Sequence, residues 1–460
     1  MIILGGGKWN RERWWYRLVQ VCRRWRYLVL ESASHLRLSL VCTGGTPVAD
    51  MLAHSPPLPL IIDHFDRCDD ITTEDEEGII LALRHRDRVR CIRLVKPIPI
   101  LQRIINSLDG EFPNLESLFI VHQRWQRPMM EENTNNTNLK LPETFRAPNL
   151  RRLVLRNFDI LIGSPLLTTM GNLVALSLTQ IPPSAYFHPN ALLQRLSLMP
   201  QVETLGITFN SYYPSRDVER QLLRAPIMMR VTLPNLRWLA FQGASAYLEA
   251  LLPWVTIPLL EKLQVYFFNQ LTYSMPHLQQ FISTAGNFRL KTATLAFRED
   301  YLNMRAYPHK GASRYTLTMS IGGKHLDWQV ASATHALHAL RTALSAVDHL
   351  TLKYERDIIS SEWNDEADRT QWRKLLGLFG GVKTLFVDGE LVGQLSRALQ
   401  PGEEESSTEL LPELQELQEP DRPDEPGKLS DSAIGAPSDA FSSFIDARQK
   451  AGHPVALIHP

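Results

Sequence analysis

The chain has 460 residues, with 49 Lys+Arg against 49 Asp+Glu for a formal net charge of +0, and is 44% apolar and 21% charged. This composition fits a globular chain with a large core and excludes collagenous, disulfide-dense and wholly disordered classes. Balanced charge removes the simplest argument for nucleic acid as the partner, and no apolar run approaches the roughly 20 residues that span a bilayer.

The N-terminus has no basic stretch ahead of its apolar residues, so it does not read as a secretory signal. The four cysteines, Cys22, Cys42, Cys68 and Cys91, form no C-x-x-C pair and suit a reducing compartment, so a cytoplasmic or nuclear protein is expected. Within residues 9–30, Trp14, Leu18, Val21, Cys22, Trp25 and Leu28 recur at helical spacing and predict one amphipathic helix with arginines over much of the remainder. A basic amphipathic helix can lie on a membrane or on nucleic acid. Tryptophans along one stripe favour packing instead, for example as the cap of a repeat array.

From about residue 89 a short phrase recurs: a proline or small residue, then L-x-x-L-x-L with conservative swaps. It reads Phe-Pro-Asn-Leu-Glu-Ser-Leu-Phe-Ile at 112–120, Ala-Pro-Asn-Leu-Arg-Arg-Leu-Val-Leu at 147–155, and Met-Gly-Asn-Leu-Val-Ala-Leu-Ser-Leu at 170–178. It returns at 199–207, 233–241 and 257–265, with weaker echoes at Val89/Ile92/Leu94, Ala293/Leu295/Phe297, Val347/Leu350/Leu352 and Val382/Leu385/Val387. The units are irregular, roughly 23 to 35 residues apart against about 20–29 in an ordinary leucine-rich repeat. The last two apolar residues of each phrase are two apart, which puts both on one face of a short strand. No such unit buries its apolar edge alone, so neighbouring units are expected to stack. The predicted fold is therefore an α/β leucine-rich-repeat solenoid of short parallel strands over residues 31–399. The flanking residues of the phrases then point outward, and Arg152, Arg156, Trp238, Gln242, Gln264 and Tyr266 are the candidate target-binding positions.

Between and after these phrases the expectations differ. Residues 128–143 are Asn-rich and read as a long loop. Residues 275–286 and 331–344 read as helices, the second carrying Leu337, Leu340 and Leu344, which continue to Val347. Residues 315–321 and 326–330 read as a hairpin around Gly322 and Gly323. From Gln400 the chain turns acidic and rich in Pro and Ser, so residues 400–460 are expected to be mostly disordered. Within them Leu411-Pro-Glu-Leu-Gln-Glu-Leu imitates the repeat phrase and reads as a piece of acidic helix.

The string Leu18-Val-Gln-Val-Cys-Arg-Arg-Trp-Arg-Tyr-Leu resembles the second half of an F-box, where a helix of the form L-x-x-V-C-[KR]-x-W-[RK]-x-L closes the motif. Followed by such repeats, the chain is similar to fungal F-box proteins that carry an irregular leucine-rich array. The Leu-Pro-x-Glu helix that opens a full box has no counterpart in residues 1–13. The resemblance implies a substrate receptor of a cullin-type (SCF) ubiquitin ligase. A Skp-type adaptor, and through it the cullin complex, would bind Trp14, Leu18, Val21, Cys22, Trp25 and Leu28, and a target protein would bind the repeats. The alternative is a stand-alone leucine-rich-repeat scaffold without adaptor binding.

Neither reading needs an enzyme, a metal or a cofactor, and none is expected. Gly5 to Lys8 lacks the spacing of a phosphate-binding loop. His335 and His338 sit one helical turn apart with no further ligand beside them. No G-x-S-x-G or H-E-x-x-H signature occurs.

Overall fold

The structure is a computed structural model and describes residues 14–33, 35–65, 71–122, 138–210, 229–268, 273–284, 288–312, 314–355, 368–400, 410–418 and 440–458. The run from Gly5 to Lys8, Cys68, most of the Asn-rich stretch and residues 401–409 and 419–439 of the acidic tail lie outside these. Contacts group the chain into two compact units, Met1–Val218 with Arg224–Leu236 and Trp254–Ile257, and Glu219–Leu223 with Arg237–Pro253 and Pro258–Pro460. Their boundary runs through the stretch expected to form one continuous array.

In the first unit seven strands follow one another in chain order. They are β1 (Leu40–Cys42), β2 (Leu60–His64), β3 (Val89–Lys96), β4 (Ser117–His122), β5 (Arg152–Arg156), β6 (Ala175–Ile181) and β7 (Thr204–Phe209). Each pairs in parallel with the next. The register aligns the repeat phrases: Leu118, Leu153, Leu176 and Leu205 form one row, and Ile120, Leu155, Leu178 and Ile207 the next. All eight are buried, as are the leading residues Leu115, Leu150, Leu173 and Val202. Burial of one such side chain contributes about 1.5–3 kcal/mol, so the rows stabilise the stack only because each strand covers its neighbour.

The asparagine of the phrase has its own role. Asn149 Nδ2 donates to the Pro113 carbonyl at 2.8 Å, and Asn114 Nδ2 to the Asp87 carbonyl at 2.5 Å. Asn235 Nδ2 likewise donates to the Pro200 carbonyl at 3.2 Å. Each turn is thus tied to the turn before it, and backbone carbonyls outside the strand ladder gain partners. Helices α1 (Trp14–Val21), α2 (Arg23–Glu31), α3 (Val48–His54), α4 (Thr73–Leu83), α5 (Ile98–Ile105), α6 (Pro165–Thr168) and α7 (Pro189–Leu196) belong to this unit. Helix α4 starts with a reciprocal cap, in which Asp75 N donates to Thr72 Oγ1 and Thr72 N to the Asp75 carboxylate. Val231–Thr232 and Val255–Thr256 form a separate short parallel pair.

The second unit begins with β8 (Trp238–Gly243) and β9 (Lys262–Phe267), which are parallel. Chain order then breaks. Strands β10 (Thr292–Arg298), β11 (Tyr301–Tyr307) and β12 (Leu317–Gly322) form an antiparallel meander in which β12, not β10, lies beside β9. Strand β13 (His349–Glu355) pairs in parallel with β10, followed by β14 (Thr384–Val387), β15 (Glu416–Gln418) and β16 (Ala456–Ile458). The hairpin expected over 315–330 is therefore corrected. Residues 326–330 open a helix, and the partner of β12 is β11, whose Leu302, Met304 and Ala306 alternate inward. A strand whose alternate apolar residues are covered outcompetes a short run with helical continuation.

Helices α8 (Ser245–Leu251), α9 (Pro276–Thr284), α10 (Leu326–His338), α11 (Arg341–Leu344), α12 (Arg369–Leu376), α13 (Gly389–Leu399) and α14 (Ser442–Lys450) complete the second unit. The helices expected near 275–286 and 331–344 are present, with Leu337, Leu340, Leu344 and Val347 all buried. Trp372 of α12 is fully buried edge-on to Phe297 and donates from Nε1 to Gln394 Oε1 at 3.1 Å.

Two stretches of the tail, 410–418 and 440–458, lie within the described residues. Leu411, Leu414 and Leu417 are buried and lead into β15, so the segment expected to be acidic helix is one further repeat. Residues 442–450 are helical and 456–458 are a strand. Apolar spacing identical to Pro-Asn-Leu-x-x-Leu decides the structure of residues 412–417; Glu413 is exposed, and the half-buried Glu416 accepts a hydrogen bond from Thr384 Oγ1 at 3.3 Å.

Candidate interaction surfaces

The N-terminal segment is a helix pair and not the single helix expected. Cys22 is extended (φ −160°, ψ 168°) and separates α1 from α2, while Arg26 Nε donates back to the Val19 carbonyl at 3.0 Å. Trp15 and Val29, outside the expected stripe, are the buried residues here, and Trp15 Nε1 donates to the Ser39 carbonyl at 3.3 Å. The stripe itself faces solvent: Val21 is 64% exposed, Trp25 47% and Leu28 52%. Cys22 is exposed and Leu18 half-buried; the side chain of Trp14 lies outside the described set. The break at Cys22 rotates α2 against α1, so residues that would share one face of a straight helix do not close on the chain's own core. Arg17, Arg23, Arg24 and Arg26 are exposed around these apolar residues. Glu31 accepts a hydrogen bond from Tyr27 and raises its phenol pKa.

On the outward face of the first unit, Arg152 is exposed, and Arg156 Nε donates to Gln180 Oε1 at 2.9 Å. Arg93 and Asp63 form a buried ion pair at 3.3 Å, with the guanidinium carbon 4.6 Å from the Phe65 ring centroid. Beside them His64 points inward; burial lowers its pKa to about 4, with Lys96 lowering it further and Asp75 opposing. Where the chain enters the strands, an open groove of about 400 Å³ is lined by Asn114, Asn149, Asn172 and Gln201 with Glu116 and Arg151. Two of these asparagines already hold the turns together, so the groove is in part a consequence of the repeat.

The other four target-binding candidates lie on the second unit. Trp238 and Gln242 stand on β8, Gln264 and Tyr266 on β9, all half-buried on the outward face. Register pairs Gln242 with Tyr266 and Trp238 with Lys262. The Lys262 ammonium lies 5.0 Å from the Trp238 ring centroid and 3.9 Å from that of Tyr315, a cation held by ring faces. Tyr301 of β11 brings its ring to 6.2 Å from Tyr266. Sequence reasoning did not single out Lys262 or Tyr315, although it read 257–265 and 315–321 as strand-forming, and it missed Tyr301 and Arg305 because it did not place β11. The alternation of Leu302, Met304 and Ala306 was the signal that could have found them.

His335 and His338 are both exposed on α10. Among the described residues no three His, Cys, Asp or Glu side chains gather as a metal set, and no helix is long and apolar enough to cross a membrane. Of the cysteines, Cys22 is exposed while Cys42 and Cys91 are buried, and none of the three forms a disulfide among the described residues.

No protein-family model and no curated protein matches this chain. Among solved structures it is similar to a TLR13–ssRNA13 complex at 14% identity, covering 82% of this chain and 45% of that one, with a TM-score of 0.32. It is also similar to the leucine-rich repeat-containing protein LegL7 from Legionella pneumophila at 13% identity, covering 64% and 90%, with a TM-score of 0.21. The chain thus spans less than half the length of the first. Likenesses this distant carry no weight of their own; the aligned leucine rows and the asparagine ties are what make the array leucine-rich-repeat-like.

Proposed function

We propose that this chain is a non-catalytic protein-binding receptor that takes an adaptor on α1 and α2 and a target on its strand faces. The observation that carries the reading is the unburied apolar stripe of Val21, Trp25 and Leu28 among arginines. Trp and Arg are over-represented among residues that dominate binding energy, and apolar side chains that the chain does not bury favour a partner that does. The resemblance of residues 18–28 to the closing helix of an F-box makes a Skp-type adaptor the partner of choice. The chain would then be the substrate-recognition subunit of a cullin-type ubiquitin ligase, acting by raising the local concentration of its target.

The test is capture of the Skp-type adaptor by the full-length chain, repeated with Trp25→Ala. The expected result is capture that falls by about tenfold or more in the variant, as for a central aromatic anchor. A chain that captures no adaptor yet binds a target protein is a stand-alone scaffold, the second reading, which the strand faces alone would support.

A further inference from the structure

The outward face of the second unit has a charge pattern that the proposed receptor role does not by itself require. Across β8, β9, β12, β11 and β10 the alternate positions that point away from the core carry no carboxylate, while Lys262, Arg305 and Arg298 stand among them. Arg298 is neutralised by Glu355 of β13. Lys262 lies against the rings of Trp238 and Tyr315 and Arg305 is exposed, and neither has an ion pair among the described residues. Acids begin at the margins, with Glu299 and Asp300 in the β10–β11 turn.

The same face holds buried polar atoms with no hydrogen-bond partner among the described residues. Trp238 Nε1 is such a donor, Gln264 Oε1 and Asn303 Oδ1 are such acceptors, and the Thr318 hydroxyl can serve as either. Thr318 is 4% exposed and faces out between Gln264 and Arg305. A buried polar atom left without a partner costs about 1–3 kcal/mol. These atoms lie beneath the surface, so the accessible chemistry of the face is its cations and aromatic rings. Acidic side chains on an extended polypeptide lying across the strands supply the missing negative charge and set apolar stem against ring.

We propose that this five-stranded face is the docking site for an acidic, Asp/Glu-rich peptide segment of a partner protein, with Lys262 and Arg305 as the cationic contacts. Strands about 4.8 Å apart make the face roughly 20 Å wide, the reach of about six to eight extended residues. The proposal rests on the receptor reading and specifies the chemistry of its target.

The experiment titrates the full-length chain into a fluorescein-labelled Asp/Glu-rich peptide of about eight residues, reading anisotropy at about 50 mM and about 300 mM salt. Isosteric Asn/Gln, phosphoserine and Lys-rich peptides are run beside it, with inorganic phosphate as competitor. The acidic peptide is expected to bind about tenfold or more tightly than the Asn/Gln peptide, to weaken at the higher salt, and to lose about tenfold in K262Q/R305Q. The charge-reversed K262E/R305E is expected to prefer the Lys-rich peptide, which tests the face even if the first variant is compromised. Equal binding of acidic and Asn/Gln peptides, unchanged binding in K262Q/R305Q, or a preference for the phosphoserine peptide or free phosphate would overturn the proposal. Adaptor capture through α2 is measured on the same preparations, so loss of the acidic-peptide result with adaptor capture intact removes this inference and leaves the receptor reading standing.

Discussion

Arg448 Nη2 lies 3.2 Å from the carbonyl oxygen of Leu414 and 3.1 Å from that of Pro412. A fully buried guanidinium thus ties α14 to the turn that leads into β15. Burial lowers its pKa, with Glu413 opposing, yet the group stays charged because arginine starts so high. Hydrogen bonds from a charged donor are worth about 1.5–3 kcal/mol each, and the desolvation of the ion offsets part of that.

Arg448→Met keeps the apolar stem and removes both bonds. It is expected to lower the stability of the C-terminal repeats by about 2 kcal/mol. Hydrogen exchange should quicken at residues 414–418 and 456–458 while β4–β6 keep their protection. Uniform protection in the variant would contradict the assignment.

His64 makes the first unit acid-sensitive. Its folded pKa of about 4 lies below the ordinary 6.5, so the neutral ring is favoured in the fold. The stabilisation is fully present above pH 6.5 and is lost as pH falls toward 4, because the unfolded chain takes up the proton first. Between pH 7 and pH 5 the loss is about 2 kcal/mol. In urea titrations at those two values, His64→Leu is expected to show a smaller drop than the parent chain; parallel drops would refute it.

Asn149→Ala is expected to cost about 1 kcal/mol by leaving the Pro113 carbonyl without its donor. Asn172→Ala, in the same groove but with no such bond among the described residues, should stay within about 0.5 kcal/mol. Thermal unfolding of the pair tests the ladder, and equal shifts would show that the amides do not bridge turns.

Gly381 and Gly380 separate space from flexibility. A Cβ on Gly381 would overlap the backbone carbonyl oxygen of Ser345, whereas one on Gly380 meets nothing within 4 Å. Gly381→Ala should therefore cost about 1–3 kcal/mol by forcing backbone apart. Gly380→Ala should be neutral or slightly stabilising. Denaturation midpoints that move together would refute the close approach.

Much of the repeat was legible because L-x-x-L-x-L encodes its own geometry: the spacing of Leu150, Leu153 and Leu155 specifies which side chains turn inward whatever the neighbours are. The exceptions share a cause. Residues 411–417 read as acidic helix because charge composition was weighed against apolar spacing, and spacing prevailed once β14 offered an edge to pair with. Strand β11 has an ordinary alternation, but nothing local to it states that its neighbours will be antiparallel.

The candidate sites divide in the same way. The outward placement of Trp238, Gln242, Gln264 and Tyr266 follows from strand periodicity. The unburied state of Trp25 and Leu28 does not, since it depends on an extended Cys22 that no helical stripe announces.

By itself the sequence determined the inward rows, the turns entering the strands and the outward positions, all of which follow from short-range spacing. Only the tertiary structure decided strand order in the second unit, the meander that carries Arg305 near Lys262, and which apolar residues of the N-terminal pair stay uncovered. Those outcomes depend on which segments far apart in the chain can bury one another's surface, and local periodicity holds no record of that choice.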